Sequence, residues 1–196
     1  MSKERSGASG LIKPVVSLLL ICLIAAGVLA GANAVTEEPI AQRAEADAVA
    51  AKQAALSEAV SFSDEKQTSD EKVTCFEGFD ASGGLVGYVF SCEVNSYGGK
   101  LTLMAGFGLD GAVTGVTITE INDTPGLGLK AKTDPAFLPQ FTGLTGNAGV
   151  VKNAADKGEN DVVAITSATI TSKAVASAVN AARAQFDALK GGEADG

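Results

Sequence analysis

The chain has 196 residues, 46% hydrophobic and only 5% aromatic, with 23 glycines and no tryptophan; this is room for one domain of ordinary size plus a membrane segment. It has no histidine, which excludes Ser-His and Cys-His dyads and argues against a zinc site, so chemistry falls to carboxylates, hydroxyls, lysines or a cofactor. Net charge is −8; Lys3, Arg5 and Lys13 face only Glu4 in residues 1–13, leaving 12 basic and 22 acidic residues beyond, a balance unsuited to nucleic acid or polybasic membrane docking.

From Pro14 to Thr36 no residue is charged for 23 positions, enough for the about 20 apolar residues that span a bilayer. Basic residues precede this run and Glu37-Glu38 follow it, so the positive-inside rule places residues 1–13 in the cytoplasm and residues 37–196 outside the cell membrane. Ala32-Asn33-Ala34 has the small-residue spacing of a signal-peptidase site. The apolar run exceeds the about 7–15 residues of a signal h-region, which favours a retained single-pass anchor over a cleaved signal. Cys22 lacks the preceding small residue of a lipoprotein signal and reads as a membrane-buried thiol.

Glu37 to Phe62 is rich in Ala, Glu, Lys and Gln and predicts an extended helix, and the polar Ser63 to Lys72 a loop; residues 37–72 together are a stalk and linker. A folded domain is expected over residues 73–190. Its first strands are Val73–Phe76 and Leu85–Val94, separated by the turn-like Asp80-Ala81-Ser82-Gly83-Gly84. Cys75 and Cys92 lie in these two strands, and two readings stay open, a disulfide or two free buried thiols. Ser96-Tyr97-Gly98-Gly99-Lys100 is a turn into Leu101–Leu109, and Asp110-Gly111 is a hairpin signal leading to Val113–Ile121. Gly106-x-Gly108-x-x-Gly111 imitates a dinucleotide fingerprint, but a strand follows where the fingerprint requires a helix, so it is read as a turn.

Asp123-Thr124-Pro125-Gly126-Leu127-Gly128-Leu129-Lys130 comes next, where Pro and two Gly fix a tight path that lets main-chain N–H groups approach a ligand. Asp134–Phe141 is expected to form a short helix, Gly149–Lys152 a strand ending in a cation, and Asn153–Asn160 a polar loop. Asp161–Ile165 reads as a short buried strand. Thr166-Ser167-Ala168-Thr169-Ile170-Thr171-Ser172 then places five hydroxyls in seven positions, and Lys173–Lys190 is an amphipathic helix with Val175, Ala178, Val179, Ala182, Phe186 and Leu189 at helical spacing. One N-cap needs one hydroxyl; the surplus, at a helix start whose free N–H groups favour negative charge, suits a phosphate-bearing group. Residues 191–196 are expected to be a disordered tail.

The order Ser167-Ala168-Thr169-x-Thr171-Ser172 resembles the flavinylation motif of the FMN-binding domains of the Rnf and Nqr redox complexes. The loop from Asp123 to Gly128 resembles the Glu-Thr-Pro-Gly-Leu-Gly loop of the same family, with Asp123 in place of Glu. The Tyr-Gly-Gly turn before the loop and Phe137-x-x-x-Phe141 after it also fit, so the resemblance runs from about Tyr88 to Leu189. Two departures stand out: Val163 occupies a position where the family usually has Asp, and Ser167 one where Gly is commonest. The resemblance implies FMN held by a phosphoester to Thr169 and attached by a flavin transferase, with Thr166, Ser167, Ala168, Asp123, Thr124, Gly126, Leu127 and Gly128 around the cofactor and Lys152 near the flavin. It implies the G subunit of an Rnf-type complex, carrying electrons between ferredoxin and NAD while ions are pumped, in the company of other membrane and redox subunits. The C subunit of the Na+-translocating NADH:quinone reductase, a free-standing anchored flavoprotein and a non-flavinylated binding module are the alternatives. The expected fold is α+β, an antiparallel twisted sheet packed on the C-terminal helix and preceded by one transmembrane helix.

Overall fold

The computed structural model describes residues 6–193; residues 1–5 of the expected cytoplasmic N-terminus and 194–196 of the expected tail lie outside the described residues. The chain divides into two compact units, Met1–Asp47 and Ala48–Gly196. The first is helical. Helix α1 (Ser6–Ala55) includes the stretch Lys13–Glu37, 25 residues of mean hydropathy 2.7 whose side chains have no protein cover. At 1.5 Å per residue this stretch is about 37 Å long, more than the about 30 Å of a hydrocarbon core.

The second unit is α+β. Strands β1 (Ser61–Phe62), β2 (Lys66–Gln67), β3 (Val73–Phe79), β4 (Leu85–Ser96), β5 (Gly99–Gly108) and β6 (Val113–Ile121) form one antiparallel sheet in the order β1-β3-β4-β5-β6, with β2 also paired to β3. The middles of β4 and β5 are buried on consecutive residues, as a sheet covered on both faces requires, and β6 has the predicted bounds. Register pairs Ser96 with Gly99 across a tight turn at Tyr97-Gly98. At the next hairpin Gly111 takes a φ of +82°, which only glycine adopts freely. Two short elements differ from the sequence reading. Of the helix expected over Asp134–Phe141 only a 3-10 turn at Leu138–Phe141 forms; a short helix α2 (Lys130–Thr133) ends just before it, with Asp134 extended at ψ 113°. Pro135 accounts for the break, because a residue before proline is pushed out of the helical region. Strands β7 (Gly149–Val151) and β8 (Asp161–Val163) stand apart from the main sheet as a parallel pair. Helix α3 (Thr169–Glu193) runs three residues into the expected tail.

One face of the sheet packs on α3. Phe90, Phe107, Leu101, Leu103 and Ile118 from the strands meet Val175, Ala178, Val179, Ala182 and Phe186 from the helix. Phe107 and Phe186 stack at 5.4 Å; Phe90 meets Phe107 and Tyr88 meets Phe186 edge-on, and Tyr88 and Phe90 are tilted to each other. Arg183, buried in the same helix, donates to the carbonyls of Gly111, Leu144 and Thr145 at 2.8–3.1 Å and ties two loops to α3. Cys75 and Cys92 point into this core as free thiols, on neighbouring strands but paired with Phe90 and Val73 instead of each other.

The opposite face is covered by residues that the sequence reading assigns to a stalk. The last turns of α1 and the segment after it bring Ala51, Ala55, Leu56 and Ala59 onto Phe76, Val89 and Met104. The helix ends at Ala55 instead of reaching Phe62. Gln53 reaches past its end to the Ala59 carbonyl at 2.5 Å, and Phe62 pairs with Gly78 in the sheet. The contact is close because this sheet face is floored by glycine. A Cβ on Gly78 would strike Leu56 and Ala59, one on Gly106 the Ala55 carbonyl, and one on Gly115 the Ala54 carbonyl. Thr114 Oγ1 donates to the Ala55 carbonyl at 2.6 Å. The glycines at 106–111 thus serve packing and a turn.

Candidate cofactor-binding site

The site forms where β8 turns into α3. The Ala168 amide donates to Ile165 O and the Ser172 amide to Ala168 O, both at 3.0 Å. Ser172 Oγ accepts from the Ile165 amide and donates to Ala168 O, again at 3.0 Å each. This buried hydroxyl closes the turn, which carries Ser167 at a φ of +66°, the one non-glycine residue with positive φ among those described. That conformation costs an L-residue about 1–2 kcal/mol and explains why a glycine suits the position.

The five hydroxyls divide by environment. Thr171 and Ser172 are buried and used internally, Thr166 and Ser167 are exposed, and Thr169 is half-buried with no hydrogen-bond partner for its Oγ1 among the described residues. Because the first intrahelical bond comes from Ser172, the amides of Thr169, Ile170 and Thr171 have no acceptor within the helix and present an anion-binding end.

Asp123 lies behind this end. Its carboxylate is buried and accepts from Ser96 Oγ at 2.7 Å, from the Gly98 amide at 2.6 Å, and from Thr171 Oγ1 in a short bond. Burial alone would raise its pKa, but the donations from Thr171, Ser96 and Gly98 outweigh it and hold the carboxyl below the ordinary aspartate range. The following loop is wound tightly: Leu127 and Leu129 both donate to Thr124 O, and Gly126 has a φ of +78°. Gly128 has no room for a side chain, since a Cβ there would overlap the Asp123 carboxylate and lie 2.6 Å from Thr171 Oγ1.

Between the loop and the helix start lies a cleft of about 470 Å3. Tyr97, Thr124, Leu127 and Gly128 form one wall and residues Ser167 to Thr171 the other. Its size falls within the about 300–1,000 Å3 of small-molecule sites. The residues fit FMN: exposed Tyr97, Leu127 and Ile170 offer apolar surface to a ring system, and the free amides beside Thr169 offer donors to a phosphate. No cluster of metal-ligating residues occurs among the described residues.

Of the residues singled out from sequence, the structure brings Ser167, Ala168, Thr169, Thr124, Leu127 and Gly128 to this cleft. Asp123 is placed behind the wall, engaged with protein groups. Thr166 faces a second, smaller hollow of about 290 Å3 that also includes Lys130 and Gln140. Gly126 and Lys152 line neither. Tyr97, Ile170 and Thr171 line the cleft without having been singled out. Ile170 carried a readable signal, an apolar residue off the buried stripe of α3, and Tyr97 another, an aromatic at the tip of a turn.

The FMN-binding domain family matches residues 96–184, which takes in both cleft walls. The G subunit of the Na(+)-translocating ferredoxin:NAD(+) oxidoreductase complex of Acetobacterium woodii is 35% identical over 178 residues, 83% of this chain and 85% of that protein. The G subunit of the ion-translocating oxidoreductase complex of Methanosarcina acetivorans is 31% identical over 192 residues, 95% of this chain and all of that protein. The proton-translocating counterpart from Clostridium ljungdahlii is 38% identical over 109 residues, 55% of this chain and 57% of that protein. Among solved structures, NqrC of Shewanella oneidensis superposes with a TM-score of 0.49 at 22% identity, over 63% of this chain and 65% of that one. With the first two of these G subunits matched over 85% and all of their lengths and the FMN-binding region falling on the cleft, the chain belongs to the family of FMN-binding G subunits of ion-translocating oxidoreductase complexes, and its cofactor is FMN.

Proposed function

We propose that Thr169 carries FMN through a phosphoester and that the chain is the anchored electron carrier of an Rnf-type complex, relaying electrons between ferredoxin and NAD while ions cross the membrane. The observation behind this reading is the Thr169 hydroxyl itself: half-buried, without a protein partner among the described residues, and at the helix end whose three amides are free. Bound FMN supplies one- and two-electron transfer. The chain supplies position. The Thr169–Thr171 amides hold the phosphate, Tyr97 and Leu127 flank the ring system and keep water from one side, and the Thr124–Gly128 loop fixes that wall.

In this reading Lys13–Glu37 anchors the chain in the lipid bilayer with the N-terminus in the cytoplasm and the FMN domain outside. Tethering matters there, because a lost cofactor could not readily be replaced. The partners are the other membrane and redox subunits of the complex and a flavin transferase. The test is intact mass after co-expression with such a transferase, beside Thr169→Ala. A gain of one FMN less water in the wild type and none in the variant supports the proposal. No gain in the wild type, with a control protein modified, refutes it.

A further inference from the structure

We infer that Asp123 is the positioning residue of the acceptor site: its carboxylate latches the Tyr97 turn, the Thr124–Gly128 loop and the first turn of α3 together, and so fixes where the Thr169 hydroxyl stands. This rests on the reading of Thr169 as the flavin acceptor. Three partners converge on one carboxylate from 27, 25 and 48 positions away in sequence. No cation pairs with it among the described residues, so its charge is compensated by these donors, and a buried carboxylate needs all of them. The backbone is shaped around it at two separate places. Gly98 and Gly128 each lie where a Cβ would collide, the first with the Asn122 carbonyl and the Asp123 backbone, the second with the carboxylate.

The choice of donor on α3 is informative. An aspartate beside a helix start ordinarily accepts from the amides of the first turn. Asp123 instead takes the Thr171 hydroxyl, which leaves the amides of Thr169, Ile170 and Thr171 for a phosphate. Thr171 is two residues from Thr169 in the same helical turn, so holding one holds the other. Asp123 therefore acts through Thr171 and the two loops, without itself touching the cofactor.

The test uses the full chain in detergent with four forms: wild type, Asp123→Asn, Thr171→Val and Thr171→Ser. The rate of FMN loading by the transferase is followed by intact mass, and amide hydrogen exchange is measured on the unloaded proteins. Asp123→Asn and Thr171→Val should load at least tenfold more slowly, and Thr171→Ser, which keeps the hydroxyl, at close to the wild-type rate. Exchange in Asp123→Asn should rise in segments 96–98, 124–129 and 169–172 together, with β5 unchanged. If Asp123→Asn fails to fold, the Thr171 pair decides. Loading of Asp123→Asn or Thr171→Val at the wild-type rate overturns the inference while leaving the flavin reading intact, and so does slow loading in Thr171→Ser. Exchange confined to one segment overturns the latch. Failure of the wild type to load overturns the reading beneath it and, with it, the role assigned to Asp123.

Discussion

Gly106→Ala tests whether the end of α1 is truly seated on the sheet. The new methyl would lie 2.5 Å from Thr114 Oγ1 and 2.6 Å from the Ala55 carbonyl carbon, and nearer still to the Ala55 oxygen. Most of those atoms are backbone, so they yield only if the helix end lifts. Overpacking of this kind costs about 1–3 kcal/mol. Separating Thr114 from Ala55 O loses a hydrogen bond worth about 1 kcal/mol. Alanine recovers about 0.5–1 kcal/mol through the smaller entropy of its unfolded chain. The net loss is about 2–3 kcal/mol, and at about 2–4 °C per kcal/mol for a unit of this size the melting temperature should fall by about 8 °C. Thermal melts of the full chain in detergent, followed by circular dichroism, give the answer. Gly191→Ala is the control: it sits on α3 with nothing within 4 Å of the added methyl and should stabilise by up to about 1 kcal/mol. A Gly106→Ala melt within about 2 °C of wild type would refute the close approach and reopen the reading of the glycine run as a ligand loop.

Ser167→Gly should raise the melting temperature by about 2 °C, because relief of the left-handed backbone at Ser167 outweighs glycine's entropy by up to about 1 kcal/mol; a fall would mean the serine hydroxyl contributes more than the backbone strain removes. Arg183→Met leaves the carbonyls of Gly111, Leu144 and Thr145 without their donor and should cost about 3 kcal/mol in denaturant titrations, with an unchanged midpoint refuting the tie. Burial, aided by the charge of Glu77, pushes the Cys75 thiol up to about 11, and burial, aided by Asp70, pushes Cys92 to about 12. Each folded pKa is raised above the unfolded value of about 8.5, so the contribution to stability is full below about pH 8.5 and is lost as pH climbs toward 11–12. In a Cys22→Ser background neither thiol should react with a disulfide reagent at pH 8 without denaturant, and rapid native labelling would contradict their burial.

Much of this site was legible because its two motifs are local. The strand-to-helix change at residues 161–173 shows in the switch from apolar run to hydroxyls to helical spacing, and Pro125-Gly126-Leu127-Gly128 announces a tight loop. The helix α3 and the β5–β6 hairpin were equally plain from periodicity and Asp110-Gly111. What stayed hidden is long-range. Asp123 reads as a loop acid near a ligand, and only the folded chain shows it engaged with Ser96, Gly98 and Thr171. Residues 48–55 read correctly as helix, yet the docking of 48–62 was invisible because the glycines that admit them, Gly78, Gly106 and Gly115, contribute nothing to a hydrophobic pattern. Pro135, by contrast, sits in plain view and argues against a helix that begins at Asp134, since the residue before a proline is pushed out of the helical region.

The glycine-floored face also has a consequence in time. Ala55 meets Thr114 across 59 positions of chain, and at about 5–20 residues per second of synthesis the end of α1 exists for about 3–12 s before the strand that receives it. During that interval it must remain ready without adhering elsewhere. An alanine-rich segment suits such a wait: Ala has the highest helix propensity, and its single methyl gives a stray partner little to bury. The receiving face supplies most of the bulk, from Phe76, Val89 and Met104, while its glycines leave room for the backbone to come close. Alanines on the arriving side and glycines on the receiving one let an early-made segment seat closely once its strand exists.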